Sequence, residues 1–155
     1  MSSEPHAIAK DPSLQKVVFR LKKDEDDYPP DDYESLWALN TEEDLYEIDN
    51  IPFFVRGVSP GDWVSVKRSD GVNYFQSVER ESPNSVLRVV AYDESLIPQL
   101  RETLVDMGCQ SELIQIYNLI AIEVPQEVHL DSVLTYLEKG EKAGDWGYET
   151  ACLRS

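Results

Sequence analysis

The stretch Ser85-Val-Leu-Arg-Val-Val-Ala-Tyr92 decides how the second half of the chain is read. β-Branched residues fill it and Glu81-Ser-Pro-Asn84 interrupts the chain before it, so it reads as a strand. Just beyond, Asp93 or Ser95 offers a helix cap, Pro98 is tolerated only in a first turn, and Gly108 supplies a stop. Between those signals Ile97, Leu100, Leu104 and Met107 recur at helical spacing. Glu112 to Tyr117 and Leu119 to Val124 read as two strands joined near Asn118. A second helix is expected from about Asp131 to Lys142, with Leu130, Val133, Leu134 and Leu137 forming one apolar stripe. Gly140 and Gly144 weaken its C-terminal part. Trp146, Tyr148, Thr150 and Cys152 alternate as a last strand. The resulting order, βαββαβ, is the split ferredoxin-like arrangement, with two helices over one face of a four-stranded antiparallel sheet.

Upstream, the punctuation is that of a β-rich unit. Lys16 to Leu21, Tyr33 to Leu39, Leu45 to Ile48, Trp63 to Lys67 and Val72 to Val78 read as short strands, and Pro52 to Val58 as a further extended segment. In the second of these, Tyr33, Ser35, Trp37 and Leu39 share one side. Ser59-Pro-Gly-Asp62 and Ser69-Asp-Gly71 are turn signals, and Asp49-Asn50 reads as a turn bonding its own backbone. Short strands so spaced, without a helix signal, point to a compact antiparallel barrel-like unit or a highly curved sheet. The expected fold class is therefore α+β: a lead-in over residues 1–13, a β-rich subdomain over 14–84, and a ferredoxin-like subdomain over 85–155.

Charge is the chain's most unusual property. Among 155 residues, 30 are Asp or Glu and 14 are Lys or Arg, a formal net charge of -16. Twelve carboxylates and no base fall between Asp24 and Asp49, leaving a nearly balanced 18 acids against 14 bases elsewhere. Such a chain repels phosphates and anionic lipids at long range, so neither nucleic acid nor a membrane is expected as a partner; a basic surface is. No apolar run approaches the roughly 20 residues of a membrane span. The first ten residues contain no hydrophobic leader, and a reduced cytoplasmic location is the expectation.

A charge run is ordinarily a solvated face that keeps a protein soluble. Here Tyr28, Tyr33, Trp37 and Tyr46 are interleaved with the acids, and aromatic rings supply the anchoring area that a solubility tail lacks. The candidate partner-binding residues are accordingly Asp26, Asp27, Tyr28, Asp31, Asp32, Tyr33, Glu34, Trp37, Glu42, Glu43 and Asp44.

Catalytic motifs are not legible. Neither a glycine-rich phosphate loop nor a nucleophile elbow is present, and a calcium-loop reading from Asp24 fails at Tyr28 and Pro29. His6, His129, Cys109 and Cys152 lack metal-ligand spacing, and the two cysteines read as small packed groups. No cofactor and no metal are expected. Paired-carboxylate hydrolysis stays open on composition alone, as the least favoured alternative.

The segments Glu34-Ser-Leu-Trp37, Tyr46-Glu-Ile-Asp-Asn-Ile-Pro-Phe-Phe54, Gly57-Val-Ser-Pro-Gly-Asp62 and Trp146-Gly-Tyr-Glu-Thr-Ala-Cys-Leu153 resemble the bacterial family known as domain of unknown function 4265. The likeness runs from about Val17 to Leu153. It implies a small bacterial cytoplasmic protein and transfers no catalytic residue. Some orphan domains of this kind lie beside toxin genes, which by association implies a toxin-neutralising immunity role. The expected function is non-catalytic: an immunity protein masking a basic active site. The alternatives are a regulatory or scaffold module that binds through the ferredoxin-like half, and the hydrolase.

Overall fold

A computed structural model describes residues 13–42 and 44–154. The lead-in up to residue 12, with His6, and the candidate Glu43 lie outside the described residues. The chain is α+β and divides into two compact units at the junction of Ser82 and Pro83.

The first unit contains β1 (Leu14–Arg20), β2 (Tyr33–Glu42), β3 (Leu45–Ile48), β4 (Trp63–Ser69) and β5 (Val72–Arg80). They pair in that order as antiparallel neighbours, and β5 returns to β1 through a parallel contact, Val17 to Asn73 and Val18 to Tyr74, closing a barrel. The parallel seam departs from the all-antiparallel expectation; an odd number of up-and-down strands cannot close otherwise. Strand alternation sends Val17, Phe19, Leu36, Ala38, Tyr46, Ile48 and Val64 inward, where Phe19 stacks on Phe75 at 4.6 Å. Tyr33, Ser35, Trp37 and Leu39 take the outer side of β2, as their shared parity requires. The β4–β5 hairpin turns at Asp70 and Gly71, both at positive φ, +50° and +79°.

Pro52 to Val58 is not extended in a ladder but irregular. Its amides have another acceptor: the Glu34 carboxylate takes the N–H groups of Phe53, Phe54 and Val55 at 2.7, 3.0 and 2.9 Å. Asn50 likewise does not bond its own backbone; its Oδ1 accepts the Trp37 N–H at 2.6 Å, tying the connection to β2. The Ser59 to Asp62 turn forms as expected, with Gly61 at φ +90° and the Asp62 N–H on the Ser59 carbonyl at 3.0 Å. The fully buried Asp62 carboxylate then accepts the N–H groups of Ser59 and Ser82, at 3.0 and 2.8 Å.

The second unit contains β6 (Ser85–Ala91), α1 (Ile97–Asp106), β7 (Gln110–Ile114), β8 (Leu119–Val124), α2 (Leu130–Lys142) and β9 (Trp146–Cys152). The sheet order is β7-β8-β6-β9, all pairs antiparallel. Leu87, Val89 and Ala91 of β6 and Ile120, Ile122 and Val124 of β8 meet Ile97, Leu100 and Leu104 of α1 and Val133 and Leu137 of α2 in one core. Asp93 caps a 3-10 turn, Glu94 to Leu96, that leads into α1 with Pro98 in its first turn, and Gly108 ends the helix at φ +96°. The strand expected over Glu112 to Tyr117 starts and stops earlier, because Gln115 to Tyr117 winds into a 3-10 turn released by Asn118 at φ +51°. In β9 the alternation breaks at the end: a register shift against Val86 and Leu87 leaves Ala151 and Cys152 both buried.

Candidate protein-binding surface

The base of the acidic segment is fixed where β1 and β2 part, by the Leu21 N–H on the Asp32 carbonyl at 2.8 Å. Beyond it the chain folds on itself. The Asp24 carboxylate accepts the N–H groups of Asp26 and Tyr28, at 2.8 and 3.1 Å, and the Asp24 N–H donates to the Tyr28 carbonyl at 2.7 Å. Asp27 holds φ +63°, a conformation that Asp tolerates better than most residues. Lys23 Nζ donates to the Pro29 carbonyl at 2.6 Å and lies 3.7 Å from the Asp32 carboxylate. Tyr28, 45% exposed, packs edge-on against Phe54 with centroids 5.9 Å apart. Asp24, Glu25, Asp26, Asp27, Asp31 and Asp32 are exposed around it. The loop is therefore built, with its carboxylates presented by backbone geometry rather than carried on a tail.

The other candidates do not join it. Glu34 faces inward and is engaged by the three amides of the 53–55 segment. Tyr33 and Trp37 sit on the outer barrel surface, and their cross-strand neighbours are bases: Arg20 opposite Tyr33 and Lys16 opposite Trp37. Lys16 Nζ lies 5.1 Å from the Trp37 ring centroid, a cation–π pair. Glu42 ends β2, and Asp44 is exposed in the turn into β3. Interleaving along the sequence becomes separation in space because successive strand residues face opposite ways. Asp26, Asp27, Tyr28, Asp31 and Asp32 stay together, while Tyr33 and Trp37 leave for a basic neighbourhood.

Sequence reasoning missed a second exposed apolar group, on the sheet unit. Val90, Tyr92, Ile116 and Tyr117 are 40%, 66%, 79% and 43% exposed. The Ala91 N–H on the Asn118 carbonyl at 3.0 Å brings their two segments side by side at one end of the sheet. Strand parity did not carry the signal, since Val86 and Arg88 share the side of Val90 and are buried, and the 3-10 turn did not announce itself.

Other groups have structural employment. Cys109 is part of the sheet unit's core; burial, and secondarily the Glu123 charge, push its thiol up to about 11. Cys152 is buried as a free thiol as well. The Arg88 side chain, 2% exposed, places Nε 2.9 Å from Glu149 Oε2. Near the start of α2, residues including Ser85, Glu127, His129, Asp131 and Arg154 line a cleft of about 380 Å³, at the small end for ligand sites. There His129 Nδ1 is bonded to Ser132 Oγ at 2.9 Å. Among the described residues no group of three or more His, Cys, Asp or Glu side chains could hold a metal ion, and no helix is long and apolar enough to cross a membrane.

The family model for domain of unknown function 4265 matches residues 34–148, so the chain belongs to that family. Its match begins at Glu34, after the acidic loop. No curated protein matches the chain. A crystal structure of a hypothetical protein from Neisseria gonorrhoeae is similar, with a TM-score of 0.79 and 19% identity, covering 92% of this chain and 96% of that one. At that identity the likeness is one of fold.

Proposed function

For this member of the domain of unknown function 4265 family, we propose a non-catalytic role: an acidic protein-binding protein whose partner is a cationic protein. The partner class that fits best is a toxin or effector domain whose basic active-site surface the chain masks as an immunity protein. One observation carries this reading. The loop from Asp24 to Asp32 holds exposed carboxylates and a half-exposed tyrosine in a backbone-bonded frame. A preordered loop loses less freedom on binding than a tail, so more of its interaction energy becomes affinity. Carboxylates at its rim steer, while Tyr28 offers ring area on a packed base. We read the closed β unit as a small-barrel scaffold for this loop and the βαββαβ unit as ferredoxin-like.

The test is kinetic. Asp26→Lys, Asp31→Lys and Asp32→Lys are combined, and association with the cationic partner recovered from native cytoplasm is followed at low and physiological salt. The expected outcome is an on-rate at least about tenfold lower at low salt, with the difference shrinking as salt rises. An on-rate matching the parent at low salt would remove the loop from the interface.

A second reading is favoured by the exposed Val90, Tyr92, Ile116 and Tyr117 group: a regulatory or scaffold module that binds through the sheet unit. Tyr92→Ser with Ile116→Ser would then abolish binding that survives the loop reversals.

A further inference from the structure

The outer barrel surface centred on β1, with the facing parts of β2 and β5 and Lys67 of β4, has a character opposite to that of the chain as a whole; Glu79, whose carboxylate accepts from Ser65 Oγ and Ser77 Oγ, marks its border on the β4–β5 side. One cross-strand row runs Lys67, Tyr74, Val18, Ser35; Lys16 with Trp37 and Arg20 with Tyr33 flank it on either side. Lys16, Arg20 and Lys67 are exposed, as are Tyr33 at 51% and Tyr74 at 38%. From Lys16 to Arg20 and from Tyr33 to Leu39, the outward positions include no carboxylate. Tyr33 and Tyr74 are two strands and two residues apart, roughly 12 Å between Cα atoms, so the rings and bases form one continuous patch. In a chain with 30 acids and 14 bases, three exposed bases among three rings with no acid between them form a specific electrostatic feature.

We propose that this face docks the Asp24–Asp32 loop of a second copy of the chain. Charge complementarity argues for that occupant: the loop presents exposed carboxylates and Tyr28, the chemistry that a base-and-ring surface receives. The loop springs from the same β1–β2 hairpin whose outer side forms the face, at the Arg20–Tyr33 end. Loop and face are thus adjacent within one chain, and a two-fold arrangement satisfies both contacts at once, each loop on the other's face. Net repulsion between two chains of charge -16 is long-ranged and is largely screened beyond about 8 Å at physiological salt, where short-range pairs decide. The proposal stands apart from the assignment of a cationic partner, which would compete with the second copy for the same loop.

Sedimentation velocity of the full chain, from roughly 5 to 300 µM at about 0.15 M salt, tests it with charge-swap variants. The parent is expected to move reversibly from monomer towards dimer, and to lose the dimer near 1 M salt. Lys16→Glu with Arg20→Glu, and separately Asp26→Lys with Asp31→Lys, are each expected to weaken self-association at least about tenfold. Mixing the two variants, or combining all four changes in one chain, restores complementarity in both contacts and should return association to within about threefold of the parent. That rescue also shows that each variant is folded. A parent that stays monomeric throughout, variants that dimerise like the parent, or a mixture that fails to recover would each overturn the proposal. Because the cationic partner would compete for the loop, its kinetic test is run at chain concentrations where sedimentation shows monomer, and a failure here leaves that reading standing.

Discussion

Glu34 shows how much a single side chain organises here. Its carboxylate gathers three consecutive backbone N–H groups of a segment that has no ladder to join. Removing an acceptor strands those donors, a larger loss than the net worth of the bonds themselves. Glu34→Ala is expected to lower the stability of the barrel unit by about 3 kcal/mol, whereas Glu25→Ala in the exposed loop stays within about 0.5 kcal/mol. Urea unfolding with an unchanged slope would register the difference; equal midpoints for the two variants would contradict the role given to Glu34. The sequence placed Glu34 among the binding acids because strand parity says which way a residue points, not what waits there. The acceptor role depends on Phe53, Phe54 and Val55, some twenty residues away and folded without regular structure. Cys109 was legible: a small thiol placed just after a helix packs as core. With its thiol pushed up to about 11 from an ordinary 9, both folded and unfolded chains keep the proton below pH 9. Above that the unfolded state ionises first, so stability falls as pH rises from 9 to 11. Iodoacetamide at pH 8 should leave Cys109 unmodified in the folded protein and label it in urea; rapid labelling without urea would contradict its burial.

At the scale of elements, α2 carries a tension between propensity and packing. Gly140 lies inside the helix, where Ala would ordinarily gain about 1 kcal/mol. A Cβ there would stand 2.0 Å from Trp146 Cζ2, an overlap no small shift relieves. The indole is held in place by its Nε1–H on the Leu137 carbonyl at 2.9 Å. Overpacking costs about 1–3 kcal/mol and should win, so Gly140→Ala is expected to destabilise the sheet unit by about 2 kcal/mol net. Thermal unfolding reads this directly, and a raised midpoint would contradict the contact. From sequence, Gly140 looked only like a weakness in the helix, because its reason lies on β9. The strands and helices themselves were legible, since runs such as Ser85 to Ala91 and the Leu130 to Leu137 stripe declare their period. What failed was irregular structure: the 53–55 segment, the 3-10 turn at Gln115 and the acid–aromatic interleaving, which β2 sorts onto different sides. The acidic loop survived as a feature but lost Tyr33, Trp37 and Glu34 from its company.

For the molecule as a whole, charge and packing divide the labour. The family match begins at Glu34 and takes in the β2–β5 strands and nearly all of the sheet unit, while the Asp24–Asp32 loop precedes it. A scaffold shared across a family with a charged loop outside the shared pattern is an arrangement in which partner choice can vary without cost to the core. The central claim is that this loop is where a cationic protein touches the chain. Amide hydrogen exchange, compared between the free protein and its complex with the native partner, tests that claim most directly. The account predicts slowed exchange across Asp24 to Asp32 and little change around Val90 to Tyr92 and Ile116 to Tyr117. Slowing confined to those two sheet-unit segments, with the loop exchanging as in the free protein, would contradict it.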